Sequence, residues 1–382
     1  MESRAELLLG GPVGRAMLAG LAGLDPLMLM AAAGMPPPPG VSFLEFSSSG
    51  GLGARLRRLR RPHGAHRDAG TWPEWMNPGG DGAPAIIGAA VASTLEESAE
   101  RGWFTDPLAL LAPVARAAEQ WEPLPGGQAG LLRPLAEAVA GAPAASWWWE
   151  PADLRHQRWM GCDHHRTLAR GGDVARAVEA AEEDAAAEEQ AMARDWARAP
   201  RRRGSAEVIV TGTWWSGPLG GTVWTSRGNV GDLPAVELAC ATDPLGEEEF
   251  EVWAVGIDSA ARVYEVHEPG DWGRLAAACP REVTASRRHD WGRWTGREGR
   301  WVLPDWRSVA AQWDGVHVSV AGYLTTAQMA VDIGDGAATL LAGWDADQTL
   351  WLRDVFTGTR HLTTWRGTPG PEALDDDGAS TT

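Results

Sequence analysis

The residues best suited to chemistry lie between 284 and 352, where aspartate and histidine alternate with tryptophan. In the run 315–320, valines at every second position predict a strand that places His317 on the opposite face, bordering solvent or a cleft. Asp345 and Asp347 follow Gly343-Trp344. Carboxylate and imidazole groups transfer protons and stabilise developing charge. We therefore predict a catalytic group of Asp347, His317 and Asp345; the alternatives are a structural histidine and ordinary turn or cap aspartates.

Other kinds of site are poorly supported. Cys162-Asp163-His164-His165 is dense in metal-ligand types. Adjacent residues cannot easily point four side chains at one ion, and structural zinc sites use spaced pairs, so we interpret it as a polar loop and predict no metal. The sequence has no G-x-S-x-G element and no dinucleotide-type glycine spacing.

Composition removes further classes. The 382 residues carry a net charge of −17, and all 34 cationic side chains are arginines, which excludes mechanisms that need a lysine amine. There are 22 tryptophans but five phenylalanines and two tyrosines. This bias suits a GC-rich genome in which tryptophan fills the core; a carbohydrate- or base-stacking surface is the alternative. Three scattered cysteines imply no disulfide framework and favour a reducing, cytoplasmic location.

Two N-terminal features bear on partners. The arginines of 55–67 could bind nucleic acid, but the acidic chain would be repelled by phosphate, so we favour a solvated linker and disfavour a nucleic-acid partner. The apolar stretch 16–33 is split by Asp25-Pro26 and is too short on either side to cross a bilayer. We expect a buried or interfacial helix there rather than a targeting segment, and no membrane span.

Residue periodicity predicts an α+β chain: a helical N-terminal region, a long acidic connector helix, and a tryptophan-rich, mainly antiparallel β domain with short helices. The predicted segments are a flexible N-terminus (1–70), a helical region (71–172), the connector and hinge (173–203), the α+β domain (204–368) and an acidic disordered tail (369–382). The adjacent indoles of Trp147-Trp148-Trp149 are interpreted as a packing plug.

Two resemblances follow from motifs. Residues of about 200–365 resemble a group of uncharacterised actinobacterial proteins through Gly212-Thr213-Trp214-Trp215-Ser216, residues 283–291, 301–306 and 314–317, and Ala342-Gly343-Trp344-Asp345. Trp224-Thr225-Ser226 is similar to the Ser/Thr strand of ADP-ribosyltransferase-like folds, which bind NAD within a split β core. Asp347 stands where that fold places a catalytic glutamate, but its side chain is one methylene shorter.

The second resemblance implies an enzyme that acts on NAD or another nucleotide. Asp347 would stabilise positive charge on the ribose. The residues it implies for cofactor binding are Thr225, Ser226, Arg227, Arg262, Trp224 and Trp344, with arginine on the pyrophosphate and tryptophan on the nicotinamide. The alternatives are a non-catalytic module that binds a protein partner through tryptophan and arginine, and, less favoured, a nucleic-acid binder that uses the 55–67 arginines.

Overall fold

A computed structural model describes residues 2–24, 82–118, 129–161, 168–198, 213–218, 220–241, 249–367, 369–370 and 374. It confirms the α+β class. The α-helices are α1 (Arg4–Gly10), α2 (Pro12–Leu21), α3 (Gly82–Arg101), α4 (Pro107–Ala118), α5 (Arg133–Gly141), α6 (Gly172–Arg198), α7 (Val236–Cys240), α8 (Pro269–Ala278), α9 (Thr284–Thr295), α10 (Trp306–Ala310) and α11 (Val320–Thr326).

The strands form two sheets. They are β1 (Gln157–Gly161), β2 (Val223–Arg227), β3 (Glu249–Ile257), β4 (Val263–Val266), β5 (Pro280–Glu282), β6 (Arg300–Pro304), β7 (Gly315–Val318), β8 (Ala330–Gly334), β9 (Ala337–Leu340), β10 (Gln348–Trp351) and β11 (Phe356–Arg366). The larger sheet has the order β11-β3-β1-β2-β10-β7-β4 and the smaller β5-β6-β9-β8. In the larger sheet only β4 and β7 run parallel, so that sheet is mainly antiparallel, as predicted.

The N-terminal residues differ from the predicted flexible segment. Over 4–21 they form α1 and α2, because their apolar side chains recur at helical spacing and bury Leu8, Met17 and Leu18 completely. These side chains belong to the same core as residues of α11 and β10. The arginine run 55–67 lies outside the described residues.

Strand β1 was missed within the predicted helical region 71–172. It pairs antiparallel with β2 on one side and β3 on the other, so a strand from before the connector helix lies inside the sheet of the C-terminal part. The alternation within β1 is short, and its hydrogen-bond partners lie far along the sequence, so local pattern carries little signal. The division of the chain into segments stays a prediction, and the pairing of β1 with β2 and β3 joins two of the predicted segments in one sheet.

The acidic helix α6 is docked along its length rather than standing as a free connector. Glu179 pairs with Arg307, Glu182 with Arg281 and Glu188 with Arg287. The two carboxylate oxygens of Glu189 accept the N–H groups of Ala285 and Ser286 at 2.7 and 2.8 Å, which caps the first turn of α9. Because unpaired N–H groups at a helix start favour an anion, Glu189 fixes α9 against α6.

Tryptophan fills much of the core, as the composition indicates. Trp148, Trp272, Trp291, Trp301 and Trp306 are fully buried. Several buried indole N–H groups have no hydrogen-bond partner in the described chain, namely those of Trp147, Trp148, Trp149, Trp272, Trp301, Trp306 and Trp365. An indole that donates no bond contributes mainly its apolar area, which supports the interpretation of tryptophan as filler.

Candidate functional site

The predicted site residues surround the start of β10, and they divide between the two faces of the larger sheet. Thr349 and Trp351 of β10 point to one side, which we call the His317 face because His317 of β7 lies on it. Gln348 and Leu350 point to the other, which we call the Ser226 face after the residue of β2 paired with Gln348. The alternation of side chains along a strand produces this division.

A row of polar side chains crosses four strands of the His317 face. Glu265 of β4 is in register with His317 of β7, His317 with Thr349 of β10, and Thr349 with Thr225 of β2. Directly opposed side chains on one face are close neighbours. The Thr225 hydroxyl donates to Gln157 and accepts the indole N–H of Trp351 at 2.7 Å.

His317 lies between two carboxylates and is 1% exposed, which corrects the expectation that it borders solvent or a cleft. Its Nδ1 is 2.6 Å from Glu265 Oε2, and its Nε2 is 3.3 Å from Asp347 Oδ1. Burial lowers the pKa of the imidazole, but the bonds to Asp347 and Glu265 outweigh it and raise that pKa to about 9. His317 is therefore an imidazolium at neutral pH, with both nitrogens donating and neither able to accept a proton.

Asp347 is held in a left-handed backbone conformation with φ of 58° and is 2% exposed. Its Oδ2 accepts the backbone N–H of Arg227 at 2.8 Å, and its Oδ1 lies 3.3 Å from both Arg227 Nε and His317 Nε2. Such a conformation costs about 1 kcal/mol or more for a residue other than glycine. The three contacts to the carboxylate hold the residue there.

A covering segment, residues 147–153, closes the His317 face over this network. Arg227 donates to Glu150 at 3.2 Å and to the carbonyl of Pro151 at 3.1 Å, and its guanidinium carbon lies 5.0 Å from the Trp147 ring centre. The N–H of Ala152 donates to Glu265 at 3.1 Å. Two acids, Asp347 and Glu265, and two cations, Arg227 and His317, are thus joined beneath this segment, and these contacts account for the burial of all but the half-buried Glu265.

The other predicted residues lie elsewhere. Ser226 and Trp224 alternate with Thr225 along β2, so they are on the Ser226 face. Trp224 is half-buried and meets the buried Trp344 edge to face, with ring centres 4.7 Å apart. Arg262 is exposed ahead of β4, where its backbone N–H donates to Asp314. The structure therefore joins Asp347, His317, Arg227 and Thr225, and it separates them from the tryptophans and Arg262.

A second titratable group lies on the Ser226 face. Glu237 of α7 donates its backbone N–H to the Ser226 hydroxyl at 3.1 Å. Its side chain keeps some accessible surface, yet its Oε2 is buried and has no hydrogen-bond partner among the described residues. Burial, together with the charge of Asp345, raises the pKa of this carboxyl to about 8, so it is protonated at neutral pH.

The negative charge of Asp345 acts on several titratable groups near Glu237. Its negative charge adds to burial in raising the pKa of Cys240 and of Tyr323, which are buried residues of α7 and α11. Its backbone N–H donates to the Gln348 side chain at 3.1 Å, which anchors the turn that carries it. The charge of Asp347 also contributes to raising the pKa of Cys240, although the carboxylate of Asp347 is bonded to Arg227 and His317. The catalytic roles assigned to Asp347, His317 and Asp345 stay predictions.

Sequence reasoning missed Glu237, Glu265 and the covering segment. Glu237 lies in a short helix of five residues with no distinctive motif. Glu265 alternates with Tyr264 and Val266 in β4, and that pattern could have placed it on the face of His317. The pairing of β4 with β7, which brings the two together, could not be read from either strand.

The residues 162–165, considered as metal ligands, lie outside the described ones. Within the described chain no group of three or more histidine, cysteine, aspartate or glutamate side chains is arranged to hold a metal ion. Over the same residues, none of the helices combines the length and apolarity needed to cross a lipid bilayer.

No family model, curated protein or solved structure matches the chain.

Proposed function

We propose that this chain is an enzyme that cleaves or transfers a glycosidic bond of a nucleotide, with Asp345 and Glu237 as its two carboxyl groups. The observation that carries the proposal is the state of Glu237: a neutral carboxyl beside the charge of Asp345, with one buried oxygen that has no hydrogen-bond partner among the described residues. Glycosidic cleavage usually uses two carboxyl groups, one protonated to act as the acid and one ionised to stabilise charge, and the neutral carboxyl of Glu237 suits the first role.

In the proposed chemistry Glu237 transfers the proton and Asp345 stabilises charge. As the bond to the ribose carbon breaks, the Glu237 carboxyl gives its proton to the leaving base. The Asp345 carboxylate stabilises the positive charge that develops on the ribose. Water or an acceptor hydroxyl then attacks that carbon and returns its proton to Glu237. Asp347, already bonded to Arg227 and His317, instead fixes the turn that carries Asp345.

The protonated state of Glu237 favours one substrate class within this proposal. Nicotinamide leaves NAD as a neutral molecule and needs no proton, whereas a purine base leaves readily only when a proton is supplied. A nucleotide with a purine base therefore fits the site better than NAD. Half-buried Trp224 on the same sheet face offers an aromatic surface for stacking.

The test measures release of adenine from AMP and of nicotinamide from NAD by chromatography, alongside calorimetric binding of both. We expect adenine release by the unmodified chain and a loss of about 100-fold or more in Glu237→Gln and Asp345→Asn. The control is Glu298→Gln, an exposed glutamate, which should leave release unchanged. Absence of both release and binding, or full release by Glu237→Gln, would refute the proposal.

The closed His317 face favours a second candidate, the non-catalytic protein-binding module. Arg227, His317, Asp347 and Glu265 pair with one another beneath the covering segment, so none of these four is an unpaired acid or base. This candidate gains if neither nucleotide binds. It would then be tested by a stoichiometric complex, formed with a purified partner, that is lost when exposed arginines or half-buried tryptophans are replaced.

A further inference from the structure

One buried cation in the described chain has no carboxylate partner. Besides His317, which lies between two carboxylates, the buried cationic residues there are Arg158, Arg227 and Arg287. Arg227 pairs with Asp347, and Arg287 pairs with Glu188 at 3.0 Å. No carboxylate of the described chain lies within 4.0 Å of the Arg158 guanidinium, although Arg158 is only 7% exposed. A buried charge without a partner is costly and unusual, so it points to a ligand.

The guanidinium of Arg158 is held by two hydrogen bonds, but its buried Nε–H has no acceptor among the described residues. Its Nη2 donates to Asn229 Oδ1 at 2.9 Å and its Nη1 to the Gln157 carbonyl at 3.1 Å, whereas its buried Nε has no acceptor. A Cβ at Gly228 would lie 2.4 to 2.8 Å from three atoms of the group, so the absence of a side chain lets the guanidinium lie flat against the backbone. Its N–H edges remain available to an oxygen ligand.

A second arginine stands on the same face in the same row. Arg360 of β11 is in register with Ala254 of β3, and Ala254 with Arg158 of β1. The small side chain of Ala254 leaves space between them. Burial and then the positive charge of Arg360 lower the pKa of the Arg158 guanidinium, and the negative charge of Asp153, which lies beyond ion-pair distance, opposes them.

We propose that Arg158 and Arg360 form a binding site for a phosphate group. Neither guanidinium group pairs with a carboxylate of the described residues, and that of Arg158 is held by two hydrogen bonds. Planar groups of this kind donate pairs of hydrogen bonds to phosphate oxygens. Phosphate binding removes the repulsion between the cations and supplies the missing partner of Arg158. Arg158 would bind the phosphate in its present position, and the exposed side chain of Arg360 would turn toward it.

The same row leads to the carboxyl groups described above. Arg158 is in register with Ser226, whose hydroxyl accepts the N–H of Glu237, and Ser226 with Gln348, whose side chain accepts the N–H of Asp345. The phosphate is therefore assigned to the substrate, a nucleoside monophosphate whose glycosidic bond faces Glu237. This assignment rests on the proposed function; the phosphate site itself does not.

The test titrates the full chain with inorganic phosphate and follows calorimetric heat and the midpoint of thermal unfolding in phosphate-free buffer. We expect binding that weakens by about tenfold or more in Arg360→Gln and in Arg158→Gln. The matched control is Arg353→Gln, an exposed arginine paired with Asp314, which should bind like the unmodified chain. Arg360 is exposed, so its variant keeps the test valid if Arg158→Gln fails to fold.

Equal phosphate binding by Arg360→Gln and the unmodified chain, or no binding by the unmodified chain, would overturn the site. The substrate assignment is separated by comparing AMP with adenosine. Arg360→Gln should raise KM for AMP and leave adenosine release unchanged. Phosphate binding that depends on both arginines, without any nucleotide cleavage, would retain the site and refute the proposed function alone.

Discussion

The charge state of His317 gives a prediction that separates a structural network from a general base. The imidazole has a pKa of about 9 in the fold against 6.5 in the unfolded chain. The folded state therefore binds the proton more tightly. The resulting stability is fully present below pH 6.5 and is lost as the pH rises through about 9. The difference between the two values corresponds to about 3 kcal/mol.

The measurement is the free energy of unfolding in urea, for the unmodified chain and for His317→Gln, from about pH 6 to about pH 10. The contribution of Glu237 to stability also falls as the pH rises from 4.5 to about 8, because the pKa of its carboxyl is raised in the fold. That loss is common to both proteins and cancels in the difference between them. We expect the advantage of the unmodified chain to shrink by about 3 kcal/mol over the range.

A difference between the two proteins that stays constant with pH would refute this reasoning. His317 would then be neutral in the fold and able to accept a proton, and a catalytic Asp347–His317 pair would regain support. Should His317→Gln fail to fold, the titration of the His317 ring by nuclear magnetic resonance in the unmodified chain decides the same question. A midpoint near neutral pH would contradict the bonds to Glu265 and Asp347.

Three further predictions concern stability and are checked by urea or thermal unfolding. Trp291→Phe should lower the free energy of unfolding by about 1–3 kcal/mol more than Trp301→Phe. Both indoles are buried and in contact, but only Trp291 donates its N–H to a backbone carbonyl, at 2.9 Å. Equal losses would contradict this. Glu189→Ala should cost about 1–2 kcal/mol through loss of the two cap bonds to α9, whereas exposed Glu183→Ala should change little. Gly322→Ala should lower the free energy of unfolding by about 3 kcal/mol or more, because its Cβ would lie 1.9 Å from a carbonyl oxygen of β4. A variant as stable as the unmodified chain would contradict this.

Elements with strong local patterns could be predicted from the sequence. The alternation of valines over 315–320 predicted strand β7, and Val316 and Val318 belong to the core; the strand ends at Val318, and Val320 begins α11. The long acidic helix was predicted from residue periodicity, and α6 confirms it. These features depend on residues near one another in the chain, so a single sequence contains the information.

The site could be predicted only in part, since contacts between distant strands determine it. The sequence indicated Asp347, His317 and Thr225, and the structure places them on one face. It could not indicate that residues 147–153 cover that face, or that Glu237 of α7 meets the opposite one. Pairing across the sheet and burial decide those points, and neither leaves a local pattern.

The position of β1 has a consequence for how the protein is made. Because β1 lies between β2 and β3, the larger sheet contains an interior strand that is synthesised long before its neighbours. During translation β1 therefore has no partner strand until residues 223–227 of β2 have been made, and its second edge stays unpaired until residues 249–257 of β3 follow. A fragment that starts at residue 204 would keep every other strand but would leave β2 and β3 without the one that joins them.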